Sequence, residues 1–88
     1  MTDPVAALKQ LFVERCRTEH EALHQLLERR DAAGAGAIVH RIAGAAGSFG
    51  FPEISAAALI VDQQIRDKGE AGEADMQHLL GLLAKLES

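Results

Sequence analysis

The sequence predicts an all-α domain folded as an antiparallel, up-down four-helix bundle. Apolar residues recur at three- and four-residue spacing in four segments, and no segment alternates with a period of two. Breaks rich in Gly or Pro separate these segments and leave only short connections, so consecutive helices must run antiparallel. A chain of 88 residues has room for one hydrophobic core, and residues 1–88 are therefore predicted to form a single domain.

Composition excludes several classes of protein. The chain is 48% hydrophobic and 25% charged, which is typical of a globular domain. The formal charge of −4 and the 3% of aromatic residues argue against nucleic-acid binding, which depends on cationic contacts and base stacking. The single cysteine, Cys16, suits a reducing compartment, and neither a signal peptide nor a membrane-spanning run is evident. We therefore expect a cytoplasmic, monomeric domain that binds no nucleic acid and no membrane.

The first two helices are predicted from their starts and stops. Asp3 can cap the first helix, and Pro4 suits its first position. The polar segment 15–20 allows a kink in that helix. Residues 31–36 are rich in Ala and Gly and are interpreted as a turn or a loosely wound start of the second helix, which runs to about Phe49. The a/d-like positions of the first helix are Val5, Leu8, Phe12, Cys16, Glu19, Leu23, Leu26 and Arg30.

The third and fourth helices follow after Phe51. The third is predicted to begin near Pro52 and to end at Lys68, where Gly69 provides the stop signal. Leu59 and Ile60 widen its apolar surface toward a second neighbour. The residues expected to be buried on the two helices are Ile54, Ala58, Val61, Ile65, Met76, Leu79, Leu80, Leu83 and Leu86.

The second helix presents one histidine among small residues. At the helical period its apolar stripe consists of Ile38, Ile42, Ala45 and Phe49. The opposite face consists of Gly36, Ala37, His40, Ala43, Gly44 and Gly47. Each interior glycine costs a helix about 0.5–1 kcal/mol relative to alanine. A face stripped of side chains around one imidazole therefore indicates that another molecule approaches His40 closely.

The segment from His40 to Gly50, HRIAGAAGSFG, resembles the phosphoacceptor segment of histidine-containing phosphotransfer (HPt) domains, and the resemblance extends to about Arg66. That family usually has a lysine three residues after the histidine, where this chain has Ala43. The resemblance implies that His40 accepts a phosphoryl group from an aspartyl phosphate of a response-regulator receiver domain and passes it to another receiver aspartate. It also implies receiver domains or a hybrid histidine kinase as partners.

The same resemblance implies a phosphocarrier without ATP-dependent kinase activity. Mg²⁺ is expected on the partner receiver, so the chain should need no metal or cofactor of its own. The glycine-containing run before His40 lacks the lysine of a nucleotide-binding P-loop and follows no strand.

Two more residues are candidates for the site around His40. The second and third helices form a hairpin around Phe51, so the residue level with His40 lies near Asp62. The resemblance implies that Asp62 accepts a hydrogen bond from His40 Nδ1–H and leaves Nε2 as the nucleophile. The alternative is that Asp62 is a solvated charge at a helix edge. Arg41 can reach a phosphoryl group and partly replace the absent lysine, or it can simply extend into solvent.

Partner docking is expected around His40. The first helix brings His24 to about the level of His40, so His20, His24 and Leu27 are predicted to border the imidazole. The remaining docking residues are the small ones of the second helix: Gly36, Ala37, Ala43, Gly44 and Gly47.

Three alternatives remain open. An HPt-like bundle can bind a receiver or a kinase without transferring phosphate, and Ala43 favours this. His20-Glu21-Ala22-Leu23-His24 matches the zinc-hydrolase motif H-E-x-x-H, but no third ligand or substrate cleft is evident. A kinase dimerisation domain also carries an exposed histidine on a helical bundle. That class usually has an acidic residue directly after the histidine, where this chain has Arg41.

Overall fold

The computed structural model describes residues 3–86, which form four α-helices and no strand. Their bounds are α1 Pro4–Glu28, α2 Ala32–Ser48, α3 Pro52–Lys68 and α4 Glu73–Leu86. Each helix packs against two others in a closed ring, and α2 packs most extensively against α3. Within this range the backbones of diagonally opposite helices stay more than 8 Å apart, measured between Cα atoms. The predicted four-helix bundle is confirmed.

The helix ends follow from local capping. Asp3 accepts a hydrogen bond from the backbone N–H of Val5 at 3.0 Å, and Gly69 ends α3 with a φ of 78°. Asp31 accepts from the backbone N–H of Gly34 at 2.9 Å. This cap satisfies a donor that the first turn leaves unpaired, so α2 is regular helix from Ala32. The segment predicted as a turn or loose start is thus helical, and α1 is unbroken through its polar middle.

The buried face of α2 differs from the predicted stripe. Val39, Ala43 and Ala46 are buried together with Ile38 and Ile42. The predicted members Ala45 and Phe49 are only partly buried. The buried face is rotated by roughly 60° toward α3. Small residues on both helices let α2 and α3 approach closely, and this contact decides the rotation.

The first turn of α1 projects beyond the bundle. Phe12 stacks on Phe49 and Phe51, which lie at the end of α2 (ring centroids 5.3 and 5.4 Å apart). Because α1 has 25 residues and α2 only 17, the first turn of α1 extends past this end. Val5 and Leu8, which stand at a/d-like positions of the sequence, are both exposed.

The third and fourth helices bury most of the predicted apolar stripes, whereas Ile65 and Leu86 are only partly buried. Ile54, Ala58 and Val61 are buried on α3, as are the predicted leucines 79, 80 and 83 on α4. Leu59 and Ile60 do not reach a second neighbour and are exposed, because α2 and α4 contact the other sides of α3. No helix in the described range is long and apolar enough to cross a membrane.

Candidate functional site

His40 lies in the middle of α2 with 63% of its side chain exposed. Ala37 and Gly44, about one turn away on either side, are also exposed. A Cβ atom built on Gly44 would meet no atom within 4 Å. The imidazole is therefore open to a molecule approaching from solvent.

The small residues around His40 divide into two groups. Ala43 is only 6% exposed, and its carbonyl accepts a hydrogen bond from Ser55 Oγ of α3 at 2.8 Å. A Cβ on Gly36 would lie 3.1 Å from Cγ2 of Ile65. The expectation that Ala43 belongs to the exposed face is wrong, because its side chain fills the contact with α3. Ala37, Gly44 and Gly47 remain exposed, and Gly36 is half-buried.

Asp62 of α3 lies beneath the imidazole. Only 10% of its side chain is exposed, and its Oδ2 is 3.3 Å from His40 Nδ1. The alternative reading of Asp62 as a solvated charge therefore does not fit the structure. An ionised carboxylate only accepts hydrogen bonds, so this contact requires a proton on Nδ1. In the neutral ring that tautomer leaves the lone pair on Nε2.

Arg66 is a site residue that the sequence analysis missed. Its Nε is 3.3 Å from Asp62 Oδ1, and its Nη2 is 2.9 Å from His40 Nδ1. The side chain is 61% exposed and extends from the last turn of α3. The signal in the sequence was its position four residues after Asp62, which places both side chains on one face of a helix.

Asp62 and Arg66 compete for the same nitrogen of His40. A guanidinium only donates hydrogen bonds, so Arg66 can bond Nδ1 only when Nδ1 is unprotonated. Asp62 can bond it only when Nδ1 carries the proton. In a neutral imidazole the two contacts thus exclude each other. The Arg66 contact corresponds to the tautomer with Nε2 protonated, and the Asp62 contact to the tautomer with Nε2 free.

Arg41 is directed toward α1. Its Nη2 lies 3.4 Å from Oε1 of Glu19, whose side chain is only 13% exposed. Burial raises the pKa of the Glu19 carboxyl above its usual range, and the nearby Arg41 and Arg15 partly oppose this rise. The structure therefore pairs Arg41 with α1, while the described partners of His40 come from α3. A contact between Arg41 and a phosphoryl group stays a prediction.

The rotation of α1 turns His20 and His24 away from the side that faces α2. Glu19 marks that side, and Leu27 lines a cavity near the C-terminal end of α1 together with Ala35 of α2 and Met76 of α4. Helical periodicity puts His20 and His24 about 100° and 140° away from Glu19, on the side toward α4. His20 and His24 therefore do not fit the expected border of the imidazole, because the packing of α1 between α2 and α4 sets its rotation, and docking at Leu27 stays a prediction.

The rings of His20 and His24 contact each other, with 3.1 Å between their Nε2 atoms. Within residues 3–86, no group of three or more His, Cys, Asp or Glu side chains is arranged to hold a metal ion. The H-E-x-x-H motif thus has no third ligand in this range, as a zinc hydrolase would require.

An apolar groove between α1 and α2 was not predicted. Leu8 and Leu11 are 51% and 62% exposed, and they border the groove. Its other lining residues are Phe12, Arg15, Ala45 and Phe49. Apolar side chains exposed together are typical of an interaction surface.

Comparison with known families gives one match. The family model described as the Hpt domain matches residues 7–88, a range that includes all of α2, α3 and α4 and most of α1. Comparisons with curated proteins and with solved structures found no significant match.

Proposed function

Because the chain belongs to the Hpt domain family, we propose that it is a phosphorelay intermediate with His40 as the phosphoacceptor. Phosphotransfer in two-component signalling is the activity of this family, whose members interact with receiver domains and histidine kinases. The phosphoryl group would come from an aspartyl phosphate of one receiver and pass to an aspartate of another. The observation that carries the proposal is the exposed imidazole of His40 with the buried carboxylate of Asp62 at Nδ1.

The proposed reaction is a direct displacement at phosphorus. The lone pair of His40 Nε2 forms the N–P bond, and the P–O bond of the acyl phosphate breaks. The electron pair of that bond stays on the receiver carboxylate. The proton stays on Nδ1, which donates a hydrogen bond to Asp62, and the negative charge of this carboxylate offsets the positive charge that develops on the ring. Positioning and charge neutralisation dominate such transfers, which is what this site can supply.

The partner receiver would supply the metal ion and the phosphoryl donor that the reaction needs. Mg²⁺ binds through several oxygen ligands and phosphate oxygens, and we propose that the receiver supplies it. No nucleotide site is proposed, since the donor is an aspartyl phosphate. A domain that exchanges phosphoryl groups with receivers would act in the cytoplasm, and as a monomer it would leave the face around His40 open to them.

A second candidate function is an interaction-only bundle that binds a receiver without accepting phosphate. The observation that favours it is Ala43, which stands where the family usually has a lysine. A domain of this kind would bind the receiver through the same surface. It would carry no label on His40.

Incubation with a phosphorylated receiver tests the proposal. The purified domain and its His40→Gln variant are mixed with candidate receivers carrying labelled aspartyl phosphate, and acid-labile label on the domain is measured over time. The wild type should be labelled and His40→Gln should not, while thermal stability stays nearly unchanged because the imidazole is mostly exposed. Binding without label in the wild type would support the interaction-only bundle. Full labelling of His40→Gln would show that His40 is not the acceptor.

A further inference from the structure

We propose that Arg66 binds the phosphoryl group on His40 and takes the place of the family's usual lysine. This inference rests on the proposed phosphotransfer at His40. It concerns which side chain neutralises the transferred group and how that side chain controls the nucleophile. The observation behind it is the guanidinium that spans from Asp62 to the imidazole, with contacts of 3.3 and 2.9 Å.

A phosphoryl group on Nε2 needs a cation beside it. The group is anionic, and it would sit above the carboxylate of Asp62 on a domain with a formal charge of −4. Phosphoryl transfer depends strongly on neutralising charge on the phosphoryl oxygens. A lysine three residues after His40 would supply that cation. Ala43 supplies none, and its side chain is buried.

Arg66 approaches His40 from the side of α2 on which position 43, the family's usual lysine position, lies. Position 43 lies about 60° around α2 from His40, counted at the helical period. The bond from Ser55 to the Ala43 carbonyl shows that this side faces α3. Arg66 extends from α3 across the same side, whereas Arg41 is paired with Glu19 of α1. Arg66 is therefore the cation already in contact with the imidazole.

The guanidinium also changes which tautomer is available. In the unphosphorylated site, its bond to Nδ1 requires the proton on Nε2, and that tautomer has no lone pair there for attack. Phosphoryl oxygens attract an arginine more strongly than a neutral ring nitrogen does, and arginine can bind them with two parallel hydrogen bonds. An incoming phosphoryl group would thus draw Arg66 from Nδ1 toward Nε2. The exposed ring then loses its Nε2 proton to water and takes up a proton from water at Nδ1, where Asp62 accepts the N–H bond, and the Nε2 lone pair becomes free.

Four proteins test this inference: wild type, Arg66→Gln, Arg66→Lys and Lys68→Gln. Lys68 is exposed on the same turn of α3, so its substitution removes one positive charge without a described contact to His40. The measurements are the labelling rate with a phosphorylated receiver, the lifetime of the phosphohistidine, and the His40 tautomer by ¹⁵N NMR. Circular dichroism verifies that each variant is folded.

Arg66→Gln should be labelled more slowly, on the order of tenfold, because a charge-assisted bond to the phosphoryl group is lost. The unphosphorylated variant should show more of the tautomer protonated at Nδ1. Arg66→Lys should recover part of the rate, since it restores the charge, and Lys68→Gln should match wild type. This tautomer shift distinguishes a role at the imidazole from a merely structural one.

Other outcomes would overturn the inference. Wild-type rates and tautomers in Arg66→Gln, with normal labelling of the wild type, would reject the role of Arg66 and leave the proposed function standing. A lower labelling rate in Arg41→Gln, together with a wild-type labelling rate in Arg66→Gln, would assign the phosphoryl contact to Arg41. Failure of the wild type to accept label from any receiver would reject the proposed function, and this inference with it.

Discussion

The reactivity of His40 depends on which ring nitrogen carries the proton. Asp62 and Arg66 both reach Nδ1, at 3.3 and 2.9 Å, and they favour opposite tautomers. The carboxylate is buried and the guanidinium is mostly exposed. The pair therefore combines a fixed acceptor with a donor that can move away when a phosphoryl group arrives.

Asp62→Ala should slow phosphate acceptance while leaving His40 phosphorylatable. The substitution removes the acceptor for Nδ1–H and leaves the Arg66 contact, so the tautomer with a free Nε2 becomes less populated. The loss should stay below the roughly 10²–10⁴-fold that proton-transfer assistance provides in enzymes. Labelling kinetics and ¹⁵N NMR of His40 measure the two effects.

The matched variant Asp62→Asn keeps an acceptor oxygen, and its labelling rate should therefore fall less than that of Asp62→Ala. If Asp62→Ala has the rate and tautomer of the wild type, the carboxylate does not orient the imidazole.

At the scale of one element, α2 uses its glycines in two ways. Gly44 faces open space next to His40, where an added Cβ would touch nothing within 4 Å. Gly36 faces α3, where an added Cβ would lie 3.1 Å from Ile65. One glycine thus leaves room for another molecule, and the other leaves room for a neighbouring helix.

Gly44→Leu should give a domain at least as stable as wild type that accepts phosphate poorly. Leucine improves helix propensity by about 1 kcal/mol over glycine at an exposed position. Its side chain would cover the approach to Nε2, where a receiver must come within about 3–3.5 Å to react. The melting temperature and the labelling rate are measured on the same sample.

Two variants serve as controls for Gly44→Leu. Gly44→Ala should be more stable than wild type and keep most of the labelling rate, because a methyl group covers little of the approach to His40 Nε2. Gly36→Leu should instead lose about 1–3 kcal/mol through overpacking against α3. A destabilised Gly44→Leu that still labels normally would contradict the open-surface reading.

At the scale of the whole molecule, the contact between α1 and α2 includes a carboxyl group that is nearly buried. Burial raises the pKa of Glu19, with Arg41 and Arg15 opposing the rise. At Glu19 the native state therefore binds more proton than the unfolded chain between the unfolded and the folded pKa of this group. The contribution of Glu19 to stability falls as the pH rises through that range.

Glu19→Gln should raise the free energy of unfolding at neutral pH relative to wild type, because the cost of a buried charge disappears. The difference between variant and wild type should shrink as the pH falls below the usual range of a carboxyl group, where Glu19 is protonated in both states. Urea unfolding at a series of pH values measures this difference in the free energy of unfolding. The exposed Glu14 of the same helix provides the control Glu14→Gln, which should not reproduce this pH dependence. A constant difference at all pH values would show that the Glu19 charge is not responsible.

The sequence by itself determined the four helices, most of their ends and the open position of His40. These features depend on local chemistry: Asp3 and Asp31 cap neighbouring N–H groups, Gly69 ends a helix, and apolar spacing selects the helical period. Even Asp62 was predictable, because a short turn fixes which residues of two antiparallel helices lie level.

Only the tertiary structure decided how the helices are rotated and which side chains meet between them. The small residues of α2 give weak preference for one buried face, so its contact with α3 buries Ala43 and leaves Phe49 half-exposed. The packing of α1 between α2 and α4 turns His24 away from His40. Arg66 reaches the imidazole because α3 stands beside α2 at the right height. Such contacts depend on the shapes and lengths of several helices at once, and no local pattern in the chain encodes them.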